Sequence, residues 1–387
     1  MGGAEQEYIQ KAFKDNWVAP LGPNVDGFEE DLKDFLGNDK EILAVSSGTA
    51  AIHLGLIGCN VGEGDEVIAQ SFTFCASVNP IVYQGARPVL VDSEKDTWNM
   101  DSSMLEEAVE DRIRKTGRRP KAIVPVSLYG MPYRIDRILE VADRYGIPVV
   151  EDSAEALGST FGGRYLGTFG RFGVLSFNGN KMITTSGGGA LICPDPVTKA
   201  RMLNYATQAR ERYPFYQHCH LGYNYRMSNV CAGIGRGQME VLDEHIEHHR
   251  MTAGLYSEIF KDVPGITVHL NPAAIINSNY WLSAITLDPG LYINGQEIIT
   301  PDEEYSCFAP NPNVEALRRI LEAEGVESRP LWKPMHLQPL YSDAPFYSGP
   351  ERVSDALFAT GLCLPSGPMV SEQDVAMICD IILNSLS

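Results

Sequence analysis

The sequence contains no C-x-x-C pair, no finger-like cysteine spacing, no internal repeat and no low-complexity tract. It also lacks any run of about 20 apolar residues, the length that a membrane-spanning helix requires. The eight cysteines (Cys59, Cys75, Cys193, Cys219, Cys231, Cys307, Cys363 and Cys379) are scattered along 387 residues. That spacing argues against a disulfide framework and for reduced thiols, so a cytoplasmic protein is expected. Basic side chains are scarce: 31 Lys and Arg stand against 50 Asp and Glu, for a formal net charge of −19. A field of this sign repels polyanions, so no nucleic-acid partner is expected, whereas a small phosphate-bearing molecule needs only a few local donors. The N-terminus has neither a basic region nor an apolar core, so no secretion signal is read there. Gln6 stands where N-myristoylation needs Ser or Thr.

What is present is an ordinary globular composition, 44% hydrophobic and 21% charged, in a length that fits about two to three domains. Strand-like runs at 41–46, 66–70, 88–92, 122–127 and 147–151 alternate with helix-like runs such as 48–56 and 134–145. The strands are apolar on both faces, which predicts an α/β fold built on a mostly parallel sheet. Residues 230–249 read as one long helix, and 106–119 as a solvated, charge-rich helix face. Beyond about 245 a strand-like run (283–287) and a helix-like run (314–324) suggest a smaller α+β domain, giving expected domains of 1–244 and 245–387.

Four stretches carry candidate chemistry. In the first, a strand-like run at 172–177 enters the turn Asn178-Gly179-Asn180-Lys181, and a second short strand follows Gly187-Gly188-Gly189. Part burial there would lower the Lys181 amine's pKa and make it a nucleophile toward carbonyls; the other reading is a surface turn lysine. Asp152 ends an apolar strand, where ligands of open α/β sheets bind, and a carboxylate there can hold a pyridinium nitrogen protonated. A helix N-cap is an equally good local reading. Ser46-Ser47-Gly48-Thr49 closes a strand and opens a helix, which suits a phosphate as well as a plain cap. Phe74, in Ser71-Phe72-Thr73-Phe74, fits either a plate for a flat cofactor ring or a core aromatic.

Together these are the parts of a pyridoxal 5′-phosphate site, and their order resembles the fold-type-I aminotransferases, specifically the DegT/StrS nucleotide-sugar aminotransferases. The resemblance runs from about Phe28 to the last helix. It rests on Ser47-Gly48-Thr49-Ala50-Ala51, Thr73-Phe74, Glu151-Asp152-Ser153-Ala154-Glu155-Ala156-Leu157-Gly158, Ser176 with Lys181, and Gly222-Tyr223-Asn224-Tyr225-Arg226-Met227-Ser228-Asn229. The stretches from Asn180 to Gly189 and from Arg329 to His336 resemble the bacillosamine-pathway enzymes, which place an amine at C4 of a UDP-4-keto-6-deoxy-N-acetylhexosamine.

The resemblance implies roles. Lys181 is the Schiff-base lysine and proton carrier, and Asp152 the partner of the pyridinium N–H. Gly48, Thr49 and Ser176 hold the phosphate, joined by Asn224 from a partner subunit. Phe74 stacks on the ring and Glu155 sits near its hydroxyl. Many relatives carry Gln at that last position; an acid there tunes the ring differently or carries a proton itself. Arg226, Trp281, Arg329, Lys333 and His336 make the substrate side. The implied enzyme is a homodimer with shared sites that moves the amino group of L-glutamate to the UDP-linked keto sugar.

Other features compete for attention. Gly233-Ile234-Gly235-Arg236-Gly237 imitates a dinucleotide loop, but no strand precedes it, so close helix packing is expected. His245, His248 and His249 fall at helical spacings without a zinc motif, and no metal is expected. His336 fits a contact to the sugar or diphosphate, or a loop cap; Trp281 fits a plate for uracil or a core tryptophan. A sugar dehydratase of the same fold needs His in place of Lys181. A non-catalytic PLP-binding regulator is the remaining alternative, against which the intact Lys181 and Asp152 count.

Overall fold

The computed structural model describes residues 1–37, 39–298 and 310–386, which leaves Cys307 outside the described residues. In chain order the strands are β1 (Glu41–Val45), β2 (Glu66–Gln70), β3 (Arg87–Val91), β4 (Ala122–Val124) and β5 (Val150–Asp152). The ribbon β6 (Thr160–Phe161) and β7 (Arg164–Tyr165) precedes β8 (Phe172–Ser176) and β9 (Gly189–Cys193). The later strands are β10 (Ile266–Val268), β11 (Ile276–Asn277), β12 (Ser283–Leu287), β13 (Arg329–Pro330), β14 (Phe346–Tyr347) and β15 (Gly361–Leu364).

Two four-stranded pieces, β14-β3-β2-β4 and β5-β8-β9-β1, meet through the parallel bridges Ile123–Val149 and Val126–Asp152. Every neighbouring pair is parallel except those that β9 makes with β8 and β1. Both faces are covered. Leu43 and Val45 pack with the Gly48–Gly58 helix, while Ile42 and Ala44 pack with Phe28 and Leu32 of the Pro23–Leu36 helix. Ile68, Val89 and Ile123 pack with the Ser102–Thr116 and Ile135–Tyr145 helices. This double burial is why the strands read as unbroken apolar runs. The charge-rich Ser102–Thr116 helix is solvated on one side, yet Arg112 is buried and grips both Glu66 carboxylate oxygens (2.6 and 2.9 Å), tying the helix to β2.

The expected single helix at 230–249 is instead two, Asn229–Met239 and Leu242–Phe260, separated at Val241 (φ −117°, ψ 9°). The first stays on the large sheet's helical layer. Its Gly233, Gly235 and Gly237 lie so close to Tyr8, Phe28 and Glu5 that an added Cβ would fall within 3.3 Å of each, which is the expected close packing. The second helix bridges the two cores: Leu242 and Ile246 lie in the cluster around Phe28 and Phe177, whereas Tyr256 and Phe260 lie in the cluster of the smaller sheet. A boundary at 244/245 therefore falls within this helix. The smaller sheet, β10-β12-β15-β13, is antiparallel throughout. The last third of the chain also returns to the large core, where β14 pairs with β3 and Met335 and Tyr341 are buried. Among the described residues no helix is long and apolar enough to cross a membrane, and all seven cysteines are free.

Two glycines with opposite surroundings test this packing. A Cβ at Gly173, in β8, would lie 1.9 Å from the backbone oxygen of Gly167, whereas one at Gly254, on an exposed helix face, would meet nothing within 4 Å. Gly173→Ala is expected to destabilise by about 1–3 kcal/mol. Gly254→Ala is expected to stabilise by about 0.5–1 kcal/mol through helix propensity. Thermal and urea denaturation of the two variants, read as shifts of opposite sign, checks both.

Candidate active site

The parallel strands deliver their carboxyl ends to one edge of the sheet, and a cavity of about 900 Å³ opens there. β1 leads to Ser47, Gly48 and Thr49; β2 to Thr73, Phe74 and Ser77; β5 to Asp152 and Glu155; β8 to Ser176 and Lys181. The smaller domain supplies the facing wall, including Trp281, Arg329, Trp332 and Ser366.

Lys181 is not a surface lysine. Its side chain is 13% exposed, with Nζ 3.2 Å from Glu155 Oε1 and 3.8 Å above the Trp281 ring. Trp281 is itself buried, and its Nε1–H donates to the Asn180 carbonyl (2.6 Å), so it holds the lysine turn rather than offering an open plate. Asp152 is not a helix cap, since turns follow β5. Its Oδ2 accepts from the Ser77 hydroxyl (2.6 Å) and its Oδ1 from the Ala154 N–H (3.2 Å). Ser77 in turn pairs with the Thr73 hydroxyl (2.7 Å). Glu151, one residue earlier, points to the opposite face of the strand and accepts from the N–H groups of Gly167, Phe169 and Gly170. Adjacent carboxylates thus take separate jobs, loop anchor and site acid.

Burial pushes the Asp152 carboxyl above its ordinary range, against the downward pull of Ser77, Ala154 and Lys181. It does the same to Glu155, against Lys181 and the Tyr129 N–H, which donates to Glu155 Oε2 at 2.6 Å. Tyr129 makes that bond from a left-handed conformation (φ 54°), and Tyr280, beside Trp281, is left-handed too (φ 50°). Each such residue stores about 1–3 kcal/mol of strain, which the surrounding packing must hold.

A phosphate cradle lies beside these groups. Ser47 caps the Gly48–Gly58 helix by accepting from the Ala50 N–H (3.0 Å). First-turn N–H groups have no intrahelical partner and face an anion favourably. A Cβ on Gly48 would lie 3.0 Å from the Ser176 Cβ, so glycine keeps this approach open. Phe74 is 55% exposed over the cavity and 5.4 Å from Trp332, which sets aside its core reading. An anion cradle, a buried carboxylate, a reachable amine and an exposed ring line a single cavity, and this donor set fits pyridoxal phosphate.

Four expected site residues are not among those lining the cavity: Asn224, Arg226, Lys333 and His336. Arg226 is half-buried and its guanidinium pairs with Glu29 and the Ala44 carbonyl (3.0 Å), so within this chain it braces β1 instead of presenting a phosphate fork. His336 is a strut. Its Nδ1 meets the Ser71 hydroxyl (2.7 Å), its Nε2 meets Asp355 (2.7 Å), and its ring stacks on Phe346 at 3.6 Å. Asn224 is exposed and accepts from the Gln208 amide (3.1 Å). Residues that sequence reasoning passed over include Ser77, Trp332 and the Tyr129 backbone. Ser77 carries no local mark; only the fold brings it to Asp152.

The fold and the site define a PLP-dependent transferase. The description DegT/DnrJ/EryC1/StrS aminotransferase family matches residues 1–383, and the chain belongs to that family. It is 46% identical over 388 residues to EpsN of Bacillus subtilis (strain 168), whose name assigns it provisionally to the pyridoxal phosphate-dependent aminotransferases. That match covers 99% of this chain and 93% of the relative. It is 34% identical over 380 residues to GDP-perosamine synthase of Escherichia coli O157:H7, covering 98% and 95%. Among solved structures, a DegT DnrJ EryC1 StrS aminotransferase from Brucella abortus superposes with a TM-score of 0.87 at 28% identity, covering 98% of this chain and 95% of that one. The protein is a PLP-dependent sugar aminotransferase.

When bound, pyridoxal phosphate supplies an electron sink for breaking and making bonds at the carbon bearing the amine. In this cavity Asp152 would hold a proton on the ring nitrogen, Lys181 would bond the cofactor and move a proton, and the Gly48–Gly58 N-terminus with Ser176 would anchor the phosphate. Lys181→Ala is expected to lose about a hundredfold or more in turnover and all covalent cofactor retention, checked by rate and by mass after reduction. Asp152→Asn is expected to lose most activity, yet to stabilise the cofactor-free protein near neutral pH. The sign follows from linkage: the folded carboxyl holds its proton to higher pH than the unfolded one. Its ionisation therefore penalises the fold progressively as pH rises above the ordinary carboxylate range. Melting temperatures of both proteins should converge on acidification toward that range.

Proposed function

We propose that this aminotransferase takes the amino group of L-glutamate and delivers it to C4 of a UDP-4-keto-6-deoxy-N-acetylhexosamine. The product is a UDP-4-amino-4,6-dideoxy sugar for surface-glycan synthesis, made in the cytoplasm. The observation that carries the reading is the joint lining of one cavity by Lys181, Asp152 and the phosphate cradle on one wall and Arg329, Trp332 and Ser366 on the other. That space extends well past the cofactor residues, leaving room for a sugar. The stretches Asn180 to Gly189 and Arg329 to His336 support a UDP-linked hexosamine. A second reading, a GDP-linked 4-keto sugar, is favoured by the 34% identity to GDP-perosamine synthase of Escherichia coli O157:H7. A panel of UDP- and GDP-linked 4-keto sugars with glutamate decides between them by 2-oxoglutarate release. The UDP-linked N-acetylhexosamine should exceed the GDP substrate by at least about tenfold in kcat/KM; the reverse order selects the second reading.

The working unit in this proposal is a homodimer with shared sites. Its support is the loop that carries Asn224: Tyr213, Phe215, Tyr216 and Leu221 are 54–79% exposed there, a large apolar surface for one chain to leave in water. A two-fold dimer would cover it and bring Asn224 to the other chain's cradle. An Asn224→Ala chain mixed with a Lys181→Ala chain is then expected to regain activity, because one site of each mixed dimer receives both intact residues. Verified subunit exchange without recovery would place every site within a single chain. Arg226→Ala is expected to lower stability instead, since it removes one of the two cations that pair with the buried Glu29 carboxylate, leaving Lys199 at 3.0 Å as the other.

A further inference from the structure

Two acids stand near the Lys181 amine, and they are held differently. Asp152 attracts it through space but places its oxygens on Ser77 and Ala154. Glu155 touches it, with Oε1 3.2 Å from Nζ. With the cofactor bound, Asp152 would serve the ring nitrogen's proton, so Glu155 is the acid in contact with the Lys181 nitrogen whenever that amine is free. We propose that Glu155 is a catalytic residue that takes the ammonium proton of Lys181 on Oε1 and returns it. In this exchange one N–H bond of Lys181 breaks, its electron pair stays on Nζ, and an O–H bond forms on Glu155. An ammonium–carboxylate pair becomes an amine–acid pair, and no charge or proton leaves the site. The proposal rests on the aminotransferase reading of the site, but not on which sugar is taken.

The surroundings fit such an exchange. Glu155 is 5% and Lys181 13% exposed, so water is a poor competitor for the proton. Glu155 cannot swing away: Oε2 is fixed by the Tyr129 N–H, and its backbone oxygen accepts from the Asn279 amide (2.9 Å). Asn279 also takes the Trp281 N–H (2.9 Å), so a single side chain sets both the acid and the aromatic floor under Lys181. Gly130 (φ 90°) seals this arrangement, since a Cβ there would lie 1.8 Å from Asn279 Oδ1. The titratable groups facing Glu155 are Lys181, Asp152, Tyr129 and Cys363. Burial pushes the Cys363 thiol up to about 12 and the Tyr129 hydroxyl well above its ordinary value, so both stay neutral. Burial also raises the Glu155 carboxyl above its ordinary range, against the opposing pull of Lys181 and the Tyr129 N–H.

Glutamine at 155 keeps the size and an acceptor for the Tyr129 N–H but cannot take the proton. The test labels the cofactor-free protein by reductive methylation with formaldehyde and cyanoborohydride across a pH series, reading the Lys181 peptide by mass spectrometry. Loss of the carboxylate in Glu155→Gln should lower the pH midpoint of Lys181 labelling by about one unit or more, a tenfold gain in reactivity below the midpoint. Other lysines should not move. In the holoenzyme the same variant should lose about tenfold to a hundredfold in kcat with an unchanged KM for glutamate. Glu155→Asp, with a retracted carboxylate, should shift the midpoint less and recover part of kcat; it serves as the test variant if the Gln protein does not fold. An unmoved labelling midpoint, or a kcat equal to that of the unaltered enzyme, overturns the proposal. Because labelling needs neither donor nor sugar, it can fail while the aminotransferase reading stands, and succeed if the sugar assignment fails.

Discussion

Two carboxylates and one lysine amine share a space from which water is largely excluded, and much of the molecule serves to hold them there. Removing a charge from water costs several kcal/mol unless partners replace the lost hydration. Asp152 receives a hydroxyl and an N–H. Glu155 receives the lysine and an N–H from a strained backbone. These donors are fixed in place, so they are poised before any ligand arrives. The raised carboxyls are the residual cost, borne by the fold at neutral pH.

That arrangement is possible because β1, β2, β5 and β8 all run the same way. Their carboxyl ends converge, and four segments far apart in sequence reach one cavity. The smaller domain is fastened over this edge by the Leu242–Phe260 helix, which sits in both cores, and by β14 on the large sheet. His336 adds a cross-brace from Asp355 to Ser71, three residues before Phe74. The wall facing the cofactor residues is thus positioned by contacts outside the cavity.

Three residues were legible as functional types but not as functional positions. Arg226, Trp281 and His336 carry the chemistry of substrate recognition in any one-dimensional reading. The structure gives Arg226 to Glu29, Trp281 to Lys181 and His336 to Asp355 and Ser71. A side chain's role depends on which partner the fold brings within about 3 Å, the reach of a hydrogen bond, and those partners lie between 19 and 265 residues away. The long helix misread at 230–249 has a similar origin, since periodicity continues across a break that only a change of packing partner reveals.

The sequence alone determined the parallel α/β architecture, because burial on both faces leaves unbroken apolar strands between amphipathic helices. It also marked Asp152, Gly48 and Lys181 as candidates, because a strand-end acid, a glycine at a helix start and a lysine on a turn have local signatures, and the structure brings the three to one cavity. Only the tertiary structure decided what surrounds them: that Ser77 holds Asp152, that Tyr129 and Asn279 fix Glu155, and that Glu155 reaches Lys181. Local propensity acts over a few residues, whereas burial and hydrogen-bond partnership are properties of a packed interior, and no spacing along the chain encodes them.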